Sequence, residues 1–311
     1  MSRRMILVLL GSLLVMFAQP VQQARAQTKP EVVKVGIYLI RAGSLDITTG
    51  AIDVDFYIDF TCEKLCDNNQ DKFEVLNGSV KSSVALDLND KTNPTYRVSA
   101  TVFQDVDLRQ YPFDKHPVKI VIESSLYDSS MVKYVVNKDT SAIDPGVFIL
   151  GWDLNHTPSA AIVDQYYKAW NLHYTRYVFT AQLSKPALAG WLKGLLPAII
   201  ILLGSLFALF ITSRNVGNRV AIITSALVAS VLYHLNFTSR VPPIGYLTYG
   251  DIFMIINYFV LLISLSITIW IIRTDSPAQQ PLIARVNKIE LVAIPALWLA
   301  LHILNYLLII R

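Results

Sequence analysis

Apolar residues follow two different patterns along the chain, and the pattern changes near residue 186. Residues 51–60 alternate, with Ile52, Val54, Phe56, Ile58 and Phe60 on one face and polar residues on the other. This period of two is typical of a β-strand with one buried face. Further strands are predicted at residues 32–40, 96–103, 118–124, 131–136 and 174–183, which are rich in Val, Ile, Tyr and Thr. Many short strands separated by turn residues predict a β-sandwich over residues 27–186.

The second part of the chain contains long apolar stretches without Asp, Glu, Lys or Arg. They cover residues 195–211, 220–239, 252–272 and 291–310. Each stretch suits a hydrocarbon core of about 30 Å at 1.5 Å per helical residue. Residues 187–311 are therefore predicted to form a four-helix transmembrane domain. Basic residues concentrate in the first and third connecting loops, which the positive-inside rule places in the cytoplasm.

Residues 1–26 have the pattern of a secretory signal peptide. Arg3 and Arg4 precede an apolar stretch, and Ala24 and Ala26 form a small-x-small cleavage site. The alternative is a membrane anchor, although the apolar stretch is too short to span a bilayer easily. Export of the N-terminus predicts a multi-pass protein of the cell inner membrane. Its β domain and its C-terminus would both lie on the periplasmic side.

Composition supports a membrane protein and excludes several functional classes. Of the 311 residues, 53% are hydrophobic and 16% are charged, against about 25% charged in an average soluble domain. The net charge of +4 comes from a mildly acidic first part and a basic second part, and gives no reason to expect nucleic acid as a partner. We find no nucleophile elbow, phosphate-binding loop or HExxH motif. We therefore expect no enzymatic activity, no cofactor and no metal site.

The second apolar stretch differs from the others because it is rich in polar residues. At 100° per residue one narrow stripe runs along it, small or polar at its ends and aliphatic in its middle: Ala221, Ser225, Val228, Leu232, Leu235 and Ser239. Polar membrane residues usually face a bundle interior or a water-filled path, although small residues also serve helix packing. An aliphatic constriction between wetter ends is suited to gating by dewetting. A single helix encloses nothing, so a pore would need several subunits around an axis.

The two cysteines, Cys62 and Cys66, lie in the part predicted to be exported. A small structural disulfide loop is the favoured interpretation, with free thiols or redox chemistry as alternatives.

Several motifs together resemble one known family. Residues 108–116, with Tyr111, Pro112, Phe113 and Asp114 at their centre, resemble the signature loop of the pentameric ligand-gated ion channels, the Cys-loop receptor superfamily. Gln104 and Val118 stand where animal members have cysteines, as in prokaryotic members. Further similarities occur in the family order: residues 36–46, 151–153 and 241–249, Pro197, and Lys185 before the first span. Their joint order, more than any single motif, identifies the chain as a suspected bacterial member.

The resemblance implies a homopentamer with membrane lipid and permeant ions as its other partners. The stripe from Ala221 to Ser239 would then line the pore. The resemblance also implies a coupling site between the domains. Its acid–acid–base cluster would be Asp46, Asp114 and Lys185, and Tyr111 to Phe113 would press against Pro242 and Pro243.

The family's agonist pocket lies between subunits. Tyr166, Tyr167 and Trp170 fall in the hairpin expected to cap it, and Tyr127 falls near another pocket loop. These aromatic residues suit a small amine held by cation–π contact. Protons are the alternative agonist, with His116 and His234 as titratable candidates. For His234 the favoured alternative is a neutral histidine bonded between helices.

The charge preference of the predicted pore depends on two opposing groups of residues. Asp53, Asp55 and Asp59 lie on the wet face of a strand that the family places beside the vestibule, where they would concentrate cations. Rings of Arg219 and Arg240 would favour anions if they faced the pore. We favour cations, with an anion-conducting member of the family as one alternative. A non-conducting membrane-anchored sensor and a transporter are further alternatives, although transporters commonly show internal repeats and none is visible here.

Overall fold

The computed structural model describes residues 29–63, 66, 69, 71–86, 90–211 and 215–309. The predicted signal peptide lies outside these residues. The described chain has two parts, a β-rich domain followed by a domain of four long helices, which confirms the predicted fold class.

The first sheet of the β domain follows the alternating stretches found in the sequence. Its strands are β1 (Glu31–Ala42), β2 (Ala51–Cys62), β4 (Gly78–Ala85), β5 (Thr95–Phe103), β7 (Val132–Val136) and the two-residue β8 (Ala142–Ile143). They pair in the order β4-β5-β2-β1-β7, and β8 also pairs with β1. In β2 the predicted apolar face is fully buried, because Ile52, Val54, Phe56, Ile58 and Phe60 all point into the core.

The second sheet contains β3 (Phe73–Val75), β6 (Lys115–Ser124), β9 (Asp153–Tyr167) and β10 (Leu172–Ser184), in the order β3-β6-β10-β9. Sequence analysis missed β9, the longest strand of the domain. It lies at the edge of the sheet and has no fully buried residue among those described. Without a buried face it lacks the alternation by which a strand is recognised.

The two sheets enclose one hydrophobic core, to which β1, β2, β5, β6 and β10 contribute most of the buried residues. The aromatic residues Phe60, Phe73, Tyr96 and Tyr134 pack against one another at the end near Cys62. At the same end a disulfide joins Cys62 to Cys66.

Four helices follow that are long and apolar enough to cross a membrane. They are α1 (Ala187–Phe210), α2 (Val216–Thr238), α3 (Tyr249–Thr274) and α4 (Gln280–Ile309), the last preceded by a 3₁₀ turn. Helix α1 contains a π-helical turn at Gly190–Leu195. Helix α2 packs on α1 and α3, and α3 packs on α4. The helices therefore form a bundle in which α2 has one face against its neighbours.

Candidate pore helix and domain junction

The predicted stripe of α2 is the face of that helix left uncovered by the rest of the chain. All six stripe residues, from Ala221 to Ser239, are exposed, and the aliphatic ones, Val228, Leu232 and Leu235, are each more than half exposed. Ile223, Ala226 and Ser230 lie on the other side and are buried in the bundle. The helix is thus packed on one side and free along the stripe.

Arg219, at the start of α2, does not lie on this free face. Its side chain is buried, its Nη2 forms an ion pair with Oε1 of Glu290 on α4, and its Nη1 donates to Asn287 at 3.1 Å. Arg219 therefore does not meet the condition under which a ring of this residue would favour anions, because its side chain is turned away from the free face of α2. The partner was missed because Glu290 is 71 positions away and looked like one polar residue at the edge of an apolar stretch. Arg240, by contrast, is exposed at the other end of α2 and donates to Asn236 at 3.0 Å.

His234 connects α2 to α3. Its Nε2 lies 3.1 Å from Oδ1 of Asp251, and its Nδ1 lies 3.0 Å from the hydroxyl of Tyr258. Asp251 also accepts from the backbone N–H of Thr248 while Thr248 accepts from that of Asp251, so the same carboxylate caps the start of α3. The histidine is thus bonded between helices, the alternative that the sequence favoured.

The signature loop lies where the two domains meet. The ring of Tyr111 is 5.1 Å from that of Phe237 at the end of α2, and the ring of Phe113 is 5.4 Å from Trp191 of α1 and 5.6 Å from Tyr249 of α3. Three membrane helices thus contact a single loop of the β domain.

The signature loop also contacts the loop between α2 and α3, through Tyr246. The backbone N–H of Leu108 donates to the Tyr246 hydroxyl at 3.0 Å, and the guanidinium of Arg109 lies 5.1 Å from the Tyr246 ring centre. Pro242 and Pro243, the predicted contacts, line a cavity of about 550 Å³ together with Tyr246, His234 and Asp251. Tyr246 was missed because the sequence shows it only as one aromatic residue in a loop.

The predicted acid–acid–base cluster does not form direct ion pairs within the described chain. Asp46 accepts from Thr48 and Thr49 in its own loop, at 2.8 and 2.7 Å. Asp114 is buried and pairs with His116, whose Nε2 is 3.1 Å from Oδ2 of the carboxylate. Asp114 and Lys185 are nevertheless neighbours, because the backbone N–H of Lys185 donates to the carbonyl oxygen of Asp114 at 3.0 Å. The coupling role of the three residues stays a prediction.

Lys185 is the third member of the predicted cluster. Its ammonium lies 3.9 Å from the ring centre of Trp152 and 3.5 Å from the carbonyl oxygen of Gly151. Burial lowers the pKa of Lys185, and the charge of Asp114 partly offsets this effect. The ammonium thus interacts electrostatically with Asp114, while its direct contacts are with Gly151 and Trp152.

Part of the predicted agonist pocket is brought together around a buried ion pair. Arg176 Nε donates to Oε2 of the buried Glu123 at 2.8 Å, and the Tyr167 hydroxyl donates to Oε1 of the same carboxylate at 3.0 Å. The rings of Trp170 and Tyr174 lie 5.5 and 5.4 Å from that of Tyr167. Glu123 and Arg176 were missed because they belong to different strands, β6 and β10, that only the sheet brings together.

The two other predicted pocket residues pack against other parts of the β domain. Tyr166 packs its ring against His173 at 4.8 Å and donates from its hydroxyl to Asn171 at 2.9 Å, on the far side of β9 from Tyr167. Tyr127 is partly buried against the main core. The candidate pocket of this chain is therefore centred on Tyr167 and Trp170.

Two of the three vestibule aspartates are neutralised within the chain. Asp53 accepts from Lys81 at 2.7 Å, which holds the pKa of Asp53 below its usual value, and Asp55 pairs with Arg41 at 3.1 Å. Asp59 accepts from Asn137 at 3.2 Å, and burial raises its pKa. Asp53 and Asp55 therefore each have a basic partner within the chain, and the role of the three aspartates beside a vestibule stays a prediction.

No family model matches this chain. A curated protein, the proton-gated ion channel of Gloeobacter violaceus, is 25% identical over 211 residues, which are 67% of this chain and 57% of that protein. This chain is a homologue of that bacterial channel. The resemblance inferred from the order of the motifs is thereby confirmed, and the chain spans less than two thirds of the length of this relative.

A channel homologue agrees with the expectation that the chain is not an enzyme. It also agrees with the four apolar helices, which make this a multi-pass membrane protein.

Two glycines of α1 allow a test of how tightly the signature loop packs against this helix. A Cβ at Gly190 would lie 2.8 Å from Cε1 of Phe113 and 2.9 Å from the carbonyl oxygen of Pro112, whereas a Cβ at Gly204 would meet nothing within 4 Å. We expect Gly190→Ala to displace the loop, at a cost of roughly 1–3 kcal/mol typical of overpacking, and to reduce evoked current. Evoked current and surface expression of Gly190→Ala and Gly204→Ala are compared. Equal currents from both variants would contradict a tightly fitted junction.

Proposed function

We propose that the chain is a subunit of a homopentameric ion channel in which α2 of each subunit lines a central pore. The observation that carries the proposal is the free face of α2. A stripe of small, hydroxyl and aliphatic residues runs the length of a membrane helix whose other side is packed in the bundle. Five copies around an axis would turn Val228, Leu232 and Leu235 into apolar rings suited to closing a pore by dewetting.

Gating is proposed to pass from the β domain to the pore through the loop around Tyr111 and Phe113. The contact of Tyr111 with Phe237 reaches the end of the pore helix directly, and the contact of Leu108 with Tyr246 reaches the loop that follows it. A rigid-body movement of the sandwich would therefore displace the end of α2. Asp114 supports this loop from the β-domain side through its buried pair with His116.

Protons are the proposed stimulus, because the homologue is a proton-gated channel. A small amine at Tyr167 and Trp170 is the second candidate. It is favoured by the exposed Trp170 ring beside a buried carboxylate network.

Cations are the proposed permeant ions. The burial of Arg219 against Glu290 removes one source of positive potential from the cytoplasmic end of the stripe. We propose the cell inner membrane as the location, with the β domain on the periplasmic side.

The proposal is tested by voltage clamp on membranes that contain the full chain. External pH is lowered stepwise, primary amines are applied separately, and the NaCl gradient is then changed to measure the reversal potential. We expect acid-evoked current with a reversal potential that follows Na⁺. A reversal potential that follows Cl⁻ would overturn the cation proposal. Absence of current under every stimulus, from protein shown to be pentameric by mass, would favour a non-conducting sensor.

A further inference from the structure

The segment between β8 and β9 ends in a tight turn. Ile149 and Trp152 form an antiparallel bridge, and the Trp152 N–H donates to the Ile149 carbonyl at 3.1 Å, so Leu150 and Gly151 occupy the centre of the turn. Gly151 has φ +81°, a backbone conformation that glycine adopts without steric cost and that the third position of a type II turn requires. The turn is therefore a defined structure rather than a loose loop.

Apolar residues of this segment point alternately inward and outward. Val147, Ile149 and Trp152 are buried in the core, and Phe148 and Leu150 project away from it. Leu150 is 81% exposed and Phe148 is 76% exposed, the two highest values among the large hydrophobic side chains of the described residues. Even the most exposed such residue of the membrane helices, Leu308, is at 72%. Adjacent apolar side chains so fully exposed mark a contact surface more often than chance.

The turn lies beside the point at which the chain enters the membrane. Lys185 donates from its ammonium to the carbonyl oxygen of Gly151 at 3.5 Å, and Ala187, two residues later, begins α1. Leu188, in the first turn of α1, is itself 70% exposed. Lys185 is also of a residue type that anchors proteins at the boundary between water and lipid. The exposed pair therefore belongs to a turn that is hydrogen-bonded two residues before the first membrane helix, and that helix begins with an exposed apolar residue of its own.

We propose that Phe148 and Leu150 insert into the lipid of the adjacent leaflet, so that the β domain is anchored to the membrane by this turn as well as by its covalent link to α1. The occupant of the surface is the lipid region between the headgroups and the acyl chains. The position of the turn beside the residue at which the chain enters α1 favours lipid over a neighbouring subunit. The anchor does not depend on conduction, because it needs only that α1 spans a bilayer.

A nitroxide label at position 150 tests the proposal. Both native cysteines are joined in a disulfide, so Leu150→Cys introduces the sole free thiol of the chain. The matched control is Val84→Cys, an exposed apolar position on β4. Val84 pairs with Arg97 of β5. Arg97 lies six residues before Phe103, the end of β5 nearest the domain junction, so that the control position is roughly 20 Å along the strand from that end. Each labelled full-length protein is reconstituted into vesicles of phosphatidylethanolamine and phosphatidylglycerol, and collision with oxygen and with a water-soluble nickel chelate is measured.

We expect the ratio of oxygen to nickel accessibility to be several-fold higher at position 150 than at position 84, since oxygen concentrates in lipid and the chelate in water. Equal ratios would place the turn in water and overturn the proposal. Exclusion of both reagents would also overturn it, in favour of contact with a neighbouring subunit. Phe148→Cys provides an independent second site. Acid-evoked ion flux from the same vesicles is scored separately, so that failure of the channel proposal is distinguishable from failure of this one.

Discussion

Replacing Glu290 by alanine is expected to lower the free energy of unfolding of the helix bundle by about 3–5 kcal/mol, the usual cost of removing one partner of a buried ion pair. Glu290 and Arg219 are both almost completely buried, and the pair joins α4 to the start of α2. Loss of the carboxylate leaves a guanidinium inside the bundle with Asn287 as its remaining side-chain hydrogen-bond partner among the described residues. Thermal unfolding of the detergent-solubilised full chain measures the effect as a lowered unfolding temperature.

Two further variants separate the ion pair from general damage to α4. Arg285→Ala removes an exposed charge from the same helix and is expected to change the unfolding temperature little. The double variant Arg219→Met with Glu290→Leu removes both charges and is expected to recover most of the loss, because apolar replacement of a whole buried pair is often neutral or stabilising. If Glu290→Ala were as mild as Arg285→Ala, the pair would not hold the bundle together.

Val228→Ser is expected to shift channel activation toward weaker stimulation by about tenfold or more, equivalent to at least about 1.4 kcal/mol. Fully burying a valine side chain is worth roughly 1.5–3 kcal/mol relative to exposing it, and a pentamer would carry the substitution in every subunit. A hydroxyl ring in place of the valine ring would favour hydration of the constriction and therefore the open pore. The measurement is the activation curve under the pH protocol described above.

Val231→Ser is the matched control for this prediction. Val231 is also exposed on α2, but it lies about 60° from Val228 at 100° per residue, on the side away from the centre of the stripe. We expect it to change the activation curve much less. An activation curve that is unchanged in Val228→Ser, or equally shifted in both variants, would contradict the proposed pore face. The comparison also distinguishes a gate from a helix face that only packs against protein.

Some secondary-structure elements can be predicted from the pattern of apolar residues along the sequence, and others cannot. Strand β2 and helices α2 and α3 were predicted within a few residues of their observed bounds, because burial on one face or immersion in lipid imposes a local period or length on the sequence. The stripe on α2 was predicted for the same reason. Helices α1 and α4 begin 8 and 11 residues before the predicted apolar stretches. Strand β9 was missed because an edge strand with little buried surface imposes no such period.

The sequence predicted the partners of charged side chains least well. Arg219 was considered for the pore, Lys185 for an ion cluster, and Asp53 for an acidic ring. The structure places them instead against Glu290, Trp152 and Lys81. The sequence shows where each charged residue lies along the chain. It contains no repeat that would predict which residue of another segment pairs with that charge.

The amino-acid sequence by itself thus determined the division into a β domain and four membrane helices, the buried face of β2 and the stripe of α2. Each of these depends on the repeat of apolar residues along one segment. Only the tertiary structure decided which residues meet across segments: Glu290 with Arg219, Glu123 with Arg176, Asp251 with His234, and Gly151 of the exposed turn with Lys185. These contacts depend on the relative placement of strands and helices distant in sequence, which no local pattern specifies.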